Sequence, residues 1–174
     1  FNRSSSQVII VDVDDTLVRG NSPSQKTIDY VNRKWDSYRI VVVSARQDSR
    51  LEETKRHLNE LGVKFDEIHL SDFPQGPNAG DAFKKNKAKI LQEKGYRVVE
   101  AIDNSADARR AYSELGIKTV SPTSLSALPK GFIQGLAVFE LIEDAKAWSE
   151  NMGCSGMVEE VIYLGKKMFQ ACGY

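Results

Sequence analysis

The stretch VIIVDVDDTL, residues 8–17, decides the fold class of this chain. Its first four residues are all β-branched or branched aliphatic, which is typical of a strand buried on both faces of a parallel sheet. Three aspartates and a threonine follow at once, where such a strand would end. Ligands of open parallel sheets bind beyond the carboxyl ends of the strands, so the residues that follow each strand are the candidate functional residues.

Strand and helix patterns alternate outward from this stretch. Buried-strand patterns recur at residues 39–43, 67–70, 97–102 and 117–120, and helical patterns separate them. Repeated strand–helix units predict a parallel sheet with helices on both faces. We therefore expect an α/β, Rossmann-like three-layer sandwich with a five-stranded parallel sheet.

Composition and charge exclude several classes of protein. The chain has 174 residues, of which 41% are hydrophobic, and its 24 basic and 24 acidic residues cancel. A net charge of zero argues against a bulk electrostatic grip on nucleic acid. No apolar run is long enough to span a membrane. Two cysteines, Cys154 and Cys172, are too few for a disulfide framework or a four-cysteine zinc site, so we expect a reducing, cytoplasmic location.

The acids that follow two of the strands suggest a metal site. Asp12 and Asp14 leave the first strand one residue apart, and Asp103 ends the fourth predicted strand, which is expected to lie beside the first. Like charges packed together disfavour ionisation unless a cation neutralises them. Mg²⁺ is the expected cation because it prefers oxygen ligands and is held by one or two carboxylates with waters and phosphate oxygens.

A lysine from the helix predicted at residues 82–94 should reach these acids. Lys87 lies four residues after Phe83 and three before Ile90, so the apolar stripe of the helix predicts that it faces inward. Lys84 lies on the flank of that stripe and stays open as the alternative.

The motifs, taken in order, resemble those of the haloacid dehalogenase-like phosphohydrolase superfamily. Asp-x-Asp-x-Thr after an apolar strand resembles its first motif, Ser44 in VVVSAR its second, a lysine on the helix before the fourth strand its third, and Asp103 in EAIDN its fourth. The resemblance covers residues 7–120 and implies the same α/β fold. Superfamily members often carry cap domains, but the short connections of this sequence predict only a minimal cap.

The resemblance also implies a chemistry. Asp12 would attack phosphorus and form an aspartyl-phosphate, and Asp14, with a raised pKa, would serve as acid and then as base. Ser44 would donate to a phosphoryl oxygen, and the lysine would offset negative charge. Mg²⁺ would be held by Asp12, the Asp14 carbonyl and Asp103.

One part of the superfamily is closer in pattern. The segments SARQDSRLEETKRHLNELGVKFDEIHL and AIDNSADARRAYSELGIKTV look like the phosphatase part of polynucleotide kinase–phosphatases. Asn104 stands where a second acid is usual there, and Asp107 could supply it instead. The likeness implies a nucleotide or polynucleotide phosphate as substrate, 3′ rather than 5′. A sugar phosphatase and a non-catalytic binding module on the same scaffold remain the alternatives.

The site is expected to be open to a large phosphomonoester substrate such as a nucleic-acid end. Only one helix is predicted between Thr16 and the second strand, and only a Pro/Gly loop follows the third. We take Thr16, Arg46 and Lys84 as candidate substrate-binding residues, with Arg46 placed to clamp a phosphate. A surface salt bridge is the alternative for Arg46. With Arg50, Arg46 and Lys84 are expected around the mouth of the site.

The last part of the chain follows a different pattern. We divide the chain into a phosphatase core at residues 7–122 and a C-terminal extension at residues 123–174. Apolar residues at helical spacing predict helices within residues 135–150 and 157–169. This helical tail would pack on the core or form the surface of a homo-oligomer.

Overall fold

The computed structural model describes residues 5–125, 129–154 and 157–172. Its contacts divide the chain into two compact units, Phe1–Pro122 and Thr123–Tyr174.

The first unit alternates strands and helices along the chain. Its elements are β1 (Gln7–Val11), β2 (Val18–Arg19), β3 (Ser22–Pro23), α1 (Gln25–Lys34), β4 (Arg39–Gln47), α2 (Leu51–Glu60), β5 (Glu67–Ser71), α3 (Ala79–Glu93), β6 (Arg97–Ile102), α4 (Ala106–Ser113) and β7 (Lys118–Val120).

Five of these strands form one parallel sheet in the order β5-β4-β1-β6-β7. The α/β, Rossmann-like architecture predicted from the sequence is therefore confirmed. The strand that begins the chain lies at the centre, where it pairs with both β4 and β6. Its central place explains why the residues that follow β1 meet residues from both neighbouring strands.

Apolar side chains cover both faces of this sheet. Val8 and Ile10 of β1 pack with Phe83 and Tyr112, from α3 and α4, in one cluster of buried residues. Since alternate residues of a strand point to opposite faces, Ile9 and its alternate neighbour Val11 point the other way, and they too are buried. Burial on both faces is what the continuous apolar run of β1 predicts.

Little structure is inserted near the carboxyl ends of the strands. Between Thr16 and α1 lies only the small antiparallel hairpin of β2 and β3. Between β5 and α3 lies a loop, residues 72–78, with no helix or strand. The expected minimal cap is therefore what the first unit has.

The second unit is mostly antiparallel sheet, so the predicted helical tail is wrong. Its elements are β8 (Gly131–Ile133), β9 (Leu136–Phe139), α5 (Ile142–Asn151), β10 (Val158–Tyr163) and β11 (Lys166–Ala171), with sheet order β10-β11-β9-β8. Only α5 matches part of a predicted helix. The basis for a homo-oligomer formed through C-terminal helices is removed along with most of those helices.

A hairpin replaces the helix predicted at residues 157–169. Leu164 and Gly165 form its two-residue turn, and both have positive φ, 51° and 77°. Such turns match the twist of the strands that they join and favour glycine. The apolar spacing that fits a helix also fits two short strands joined by this turn. Helix α5 packs on the sheet through Ala145 and Trp148, against Phe139 among others.

The two cysteines, expected as separate thiols in a reducing compartment, form a disulfide between Cys154 and Cys172. Disulfides persist in oxidising compartments and are rare in the cytosol, so the pair runs against that expectation, and the cytoplasmic location stays a prediction. In the described ranges, none of the helices has both the length and the apolar character needed to cross a bilayer.

Candidate active site

Backbone pairing at the centre of the sheet brings Asp12 and Asp103 together. The Asp12 N–H donates to the Ile102 carbonyl at 3.0 Å, one residue beyond the register pair of Val11 and Ile102. The two aspartates are thus the next residues along on neighbouring strands. They are 5% and 0% exposed, respectively, so two carboxylates are buried side by side, as the sequence analysis expected.

Lys84 lies between these two carboxylates. Its Nζ is 2.7 Å from Asp103 Oδ2 and 3.3 Å from Asp12 Oδ1, and the residue is 5% exposed. A buried charge is retained in a fold only when it is paired. The Lys84 ammonium group pairs with both carboxylates, so all three buried charges have an opposite charge beside them.

The sequence analysis favoured Lys87 over Lys84, and the structure contradicts that orientation. The buried stripe of α3 runs through Lys84, Ala88 and Leu91, beside Phe83. Lys87 is only half buried, and its Nζ lies over the Phe83 ring, 5.8 Å from the centroid. Three residues along a helix differ by about 60° in direction, so the buried face of α3 is turned by about this angle from the phase inferred from Phe83 and Ile90.

Burial and charge shift the pKa values of Asp12 and Lys84. Burial raises the pKa of Asp12 to about 7, and the Lys84 ammonium opposes the rise. Burial lowers the pKa of Lys84, but Asp12 and Asp103 outweigh it and hold the value above its usual range. Lys84 therefore stays charged, and any further cation on Asp12 would favour the carboxylate form.

Thr16 and Asn104 connect the loops that follow β1 and β6. The Asn104 N–H donates to Thr16 Oγ1 at 3.1 Å, and that hydroxyl donates to Asp12 Oδ2 at 3.4 Å. Thr16 is fully buried, and its hydroxyl joins the two loops inside the fold. It is therefore not exposed in the way that the substrate-binding role predicted from the sequence requires. With its amide nitrogen turned toward them, Asn104 also donates to Asp12 Oδ2 at 3.1 Å and to the Asp14 carbonyl at 3.0 Å.

Asp14 is held by Arg46 rather than by neighbouring acids. Arg46 Nε and Nη2 donate to the two oxygens of Asp14 at 2.9 and 2.7 Å. These bonds lower the pKa of Asp14, which contradicts the raised value expected from nearby negative charge. The Asp14 side chain is 55% exposed.

Arg46 is therefore engaged with the protein rather than placed as a free phosphate clamp. Its side chain is 8% exposed, and its Nη1 donates to Thr54 Oγ1 of α2 at 3.0 Å. Thr54 is 1% exposed. Thr54 belongs to the segment SARQDSRLEETKRHLNELGVKFDEIHL that carries the likeness to polynucleotide phosphatases, but the sequence analysis assigned it no role.

Ser44 occupies the position predicted for it. It follows the buried run of β4, is fully buried, and its Oγ accepts from the Arg46 N–H at 3.2 Å. Asp107 does not supply the second acid whose usual position Asn104 occupies. Its side chain is 65% exposed on α4 and forms an ion pair with Arg110 at 3.1 Å.

The donor set suits Mg²⁺ without forming an all-acid cage. Across the described residues, no group of three or more His, Cys, Asp or Glu side chains could hold a metal ion. The available oxygens are the carboxylates of Asp12 and Asp103 and the carbonyl of Asp14. Mg²⁺ is often bound in this way, by one or two carboxylates with water and substrate phosphate completing the shell. These residues therefore fit the expected cation.

Comparison with solved structures supports the fold. One chain of the Pnkp1/Rnl/Hen1 RNA repair complex is similar over 69% of this chain and 43% of its own length, with a TM-score of 0.57 and 17% identity. A second Pnkp1/Rnl/Hen1 structure is similar over 69% and 47%, with a TM-score of 0.55 and 16% identity. This chain thus spans less than half of each.

No protein-family model matches the sequence, and no curated protein matches it. At the identities found, the structural likeness shows the fold alone. The first unit therefore shares its parallel α/β fold with chains of these complexes, as the alternation of strands and helices indicated.

Proposed function

We propose that this protein is a phosphoric monoester hydrolase that forms an aspartyl-phosphate on Asp12 and requires Mg²⁺. One observation carries the proposal: a buried lysine joins two buried aspartates at the carboxyl end of the central parallel strands. Three buried charges cost stability, so a fold that keeps them invites a chemical explanation.

The proposed reaction has two steps. Because Arg46 lowers the pKa of Asp14, the reaction proceeds through the fraction of molecules in which Asp14 is protonated. In these molecules Asp12 Oδ attacks phosphorus, the bond from phosphorus to the leaving oxygen breaks, and Asp14 gives that oxygen its proton. Asp14 then takes a proton from water, the water oxygen attacks phosphorus, and the bond to Asp12 breaks to release phosphate. The exposed position of Asp14 places it where a leaving group and water can approach.

Other residues hold the reacting groups in place. Lys84 offsets charge on Asp12, and Ser44 donates to a phosphoryl oxygen. Arg46, anchored on Thr54, holds Asp14 in position. The chemistry that Mg²⁺ supplies when bound by Asp12, Asp103 and the Asp14 carbonyl is neutralisation of charge on the phosphoryl oxygens.

We propose a phosphate on a nucleotide or a nucleic-acid end, 3′ rather than 5′, as the substrate. The pattern of residues 44–70 supports this, as do the RNA repair complexes among the structures similar in fold. The first unit has little structure inserted near the carboxyl ends of its strands, which suits an extended nucleic-acid strand as substrate. The electrostatic support is weaker than expected, because Lys84 is buried and Arg46 is engaged; only Arg50 of the three is substantially exposed.

A panel of phosphomonoesters tests the proposal. The full chain, with Mg²⁺ or with a chelator, is given a 3′-phosphorylated oligonucleotide, a 3′-mononucleotide and a hexose phosphate. We expect Mg²⁺-dependent release of phosphate, fastest from the nucleotide substrates, and a loss of at least about 10³-fold in folded Asp12→Asn. Fastest turnover of the hexose phosphate would replace the substrate with a sugar phosphate. Absence of any turnover would favour a binding module.

A further inference from the structure

A pocket of about 300 Å³ lies beside the candidate active site, between the ends of β4 and β5 and the first turn of α3. Gln47, Ser71, Gln75 and Gly76 contribute to its lining, and we call it the Gln47 pocket. None of the residues that line it carries a charge. It therefore suits a neutral polar group better than a phosphate.

The position of this pocket relates it to the proposed chemistry. Ala45, which also lines it, directly follows Ser44. Gly80, which also lines it, lies one helical turn before Lys84, and a Cβ added there would come within 2.8 Å of the Ala45 Cβ. The pocket thus lies where α3 approaches β4 closely, and one of its lining residues is the sequence neighbour of Ser44.

Three polar side chains of the pocket have hydrogen-bonding capacity to spare. Within the described residues, the carboxamides of Gln47 and Gln75 make no hydrogen bond. Ser71 is 2% exposed, and its Oγ accepts from the Phe73 N–H at 3.2 Å but donates to no described residue. Two carboxamides and a hydroxyl offer donors and acceptors together.

A nucleobase matches this lining. Its edge carries donors and acceptors in one plane, and glutamine can pair with such an edge through both of its amide atoms. The pocket has room for a base, and it lacks the cations that a second phosphate would require. A small sugar or glycerol group offers no matching planar edge.

We propose that the Gln47 pocket binds the base of the nucleotide that carries the scissile phosphate. This inference rests on the proposed phosphatase activity and names the part of the substrate that the enzyme selects. Gln47, Gln75 and Ser71 are then specificity-determining residues, whereas the phosphate is handled by Ser44 and Lys84.

Two kinds of variant test the pocket. The double variant Gln47→Ala/Gln75→Ala removes both carboxamides. Gly76→Leu fills the space instead, and its Cβ meets nothing within 4 Å, so the backbone has no need to move. The matched control is Gln25→Ala in α1, which does not line the pocket and whose carboxamide donates to Asp29 at 2.8 Å. Thermal melting confirms that each variant is folded.

The measurement is kcat/KM for a nucleoside 3′-monophosphate and for glycerol phosphate, which has no base. In both pocket variants we expect the value for the nucleotide to fall about tenfold or more, with glycerol phosphate unchanged within about twofold. The control should change neither. An equal loss of kcat/KM on both substrates, or no loss on the nucleotide, would overturn the proposal that the pocket binds the base. The proposed phosphatase activity would be unaffected. A wild-type chain that hydrolyses neither substrate overturns the phosphatase, and the inference with it.

Discussion

The two units of this chain differ in the charged clusters that they bury and in the large apolar side chains that they leave exposed. The first unit buries charged groups, with Asp12, Lys84 and Asp103 all at most 5% exposed. The second unit leaves large apolar groups in solvent, among them Leu164 at 83% and Ile162 at 70% exposed. Buried charges lower stability and point to chemistry. Small scaffolds often add a disulfide to a limited core, and the second unit contains one between Cys154 and Cys172.

The largest expected effect separates two lysines of the first unit. Lys84→Met should lower kcat by about 10² to 10³-fold, because it removes the cation that stabilises Asp12 and the phosphate charge. Lys87→Met, three residues along the same helix, should stay within about twofold. Rates of Mg²⁺-dependent phosphate release compare the two. Equal losses in both variants would contradict the placement of Lys84 at the site.

The next effect belongs to the second unit. Replacing both cysteines, Cys154→Ser with Cys172→Ser, should lower the stability of that unit by about 3 kcal/mol, since the disulfide closes a loop with a sequence separation of 18. Amide hydrogen exchange in the full chain measures the local stability of each unit separately. We expect faster exchange in α5 and β9 to β11, with phosphatase rates unchanged. Unchanged exchange there would show that the disulfide is dispensable.

A smaller effect tests how Asp14 is positioned. Thr54→Val removes the hydroxyl that holds Arg46 and should lower kcat about tenfold with little change in KM. Thr54→Ser keeps the hydroxyl and should restore the rate. Thr27→Val is the matched control, since Thr27 is a buried helical threonine whose hydroxyl lies 3.4 Å from Ser24 Oγ. A loss in the control as large as in Thr54→Val would reduce the effect to general packing.

The smallest effect concerns a buried hydroxyl of the first unit. Tyr112 is 1% exposed, and its OH has no hydrogen-bond partner among the described residues. Tyr112→Phe removes this unpaired group and should raise the free energy of unfolding by about 1 kcal/mol. Denaturant unfolding measures the change. A less stable variant would mean that the hydroxyl has a partner, such as an ordered water.

Much of the site was predictable because it depends on strand order. Asp12, Ser44 and Asp103 each follow a recognisable buried strand, and parallel strands bring such residues to one edge of the sheet. The roles of Asp14 and Arg46 were less predictable. Their pairing depends on how far β4 extends past Ser44 and on where α2 places Thr54, and neither is encoded in a local pattern.

The sequence by itself determined the parallel α/β sheet and the strands that carry its acids, because continuous apolar runs and the residues just after them are local features. Tertiary structure decided which lysine reaches the acids, since a rotation of α3 by about 60° exchanges Lys84 for Lys87. It also decided that the second unit is a sheet. Apolar spacing over residues 157–169 suits a helix or a hairpin, and only the turn at Leu164 and the pairing of β11 with both β10 and β9 select the hairpin. Long-range pairing contributes free energy that no local pattern contains.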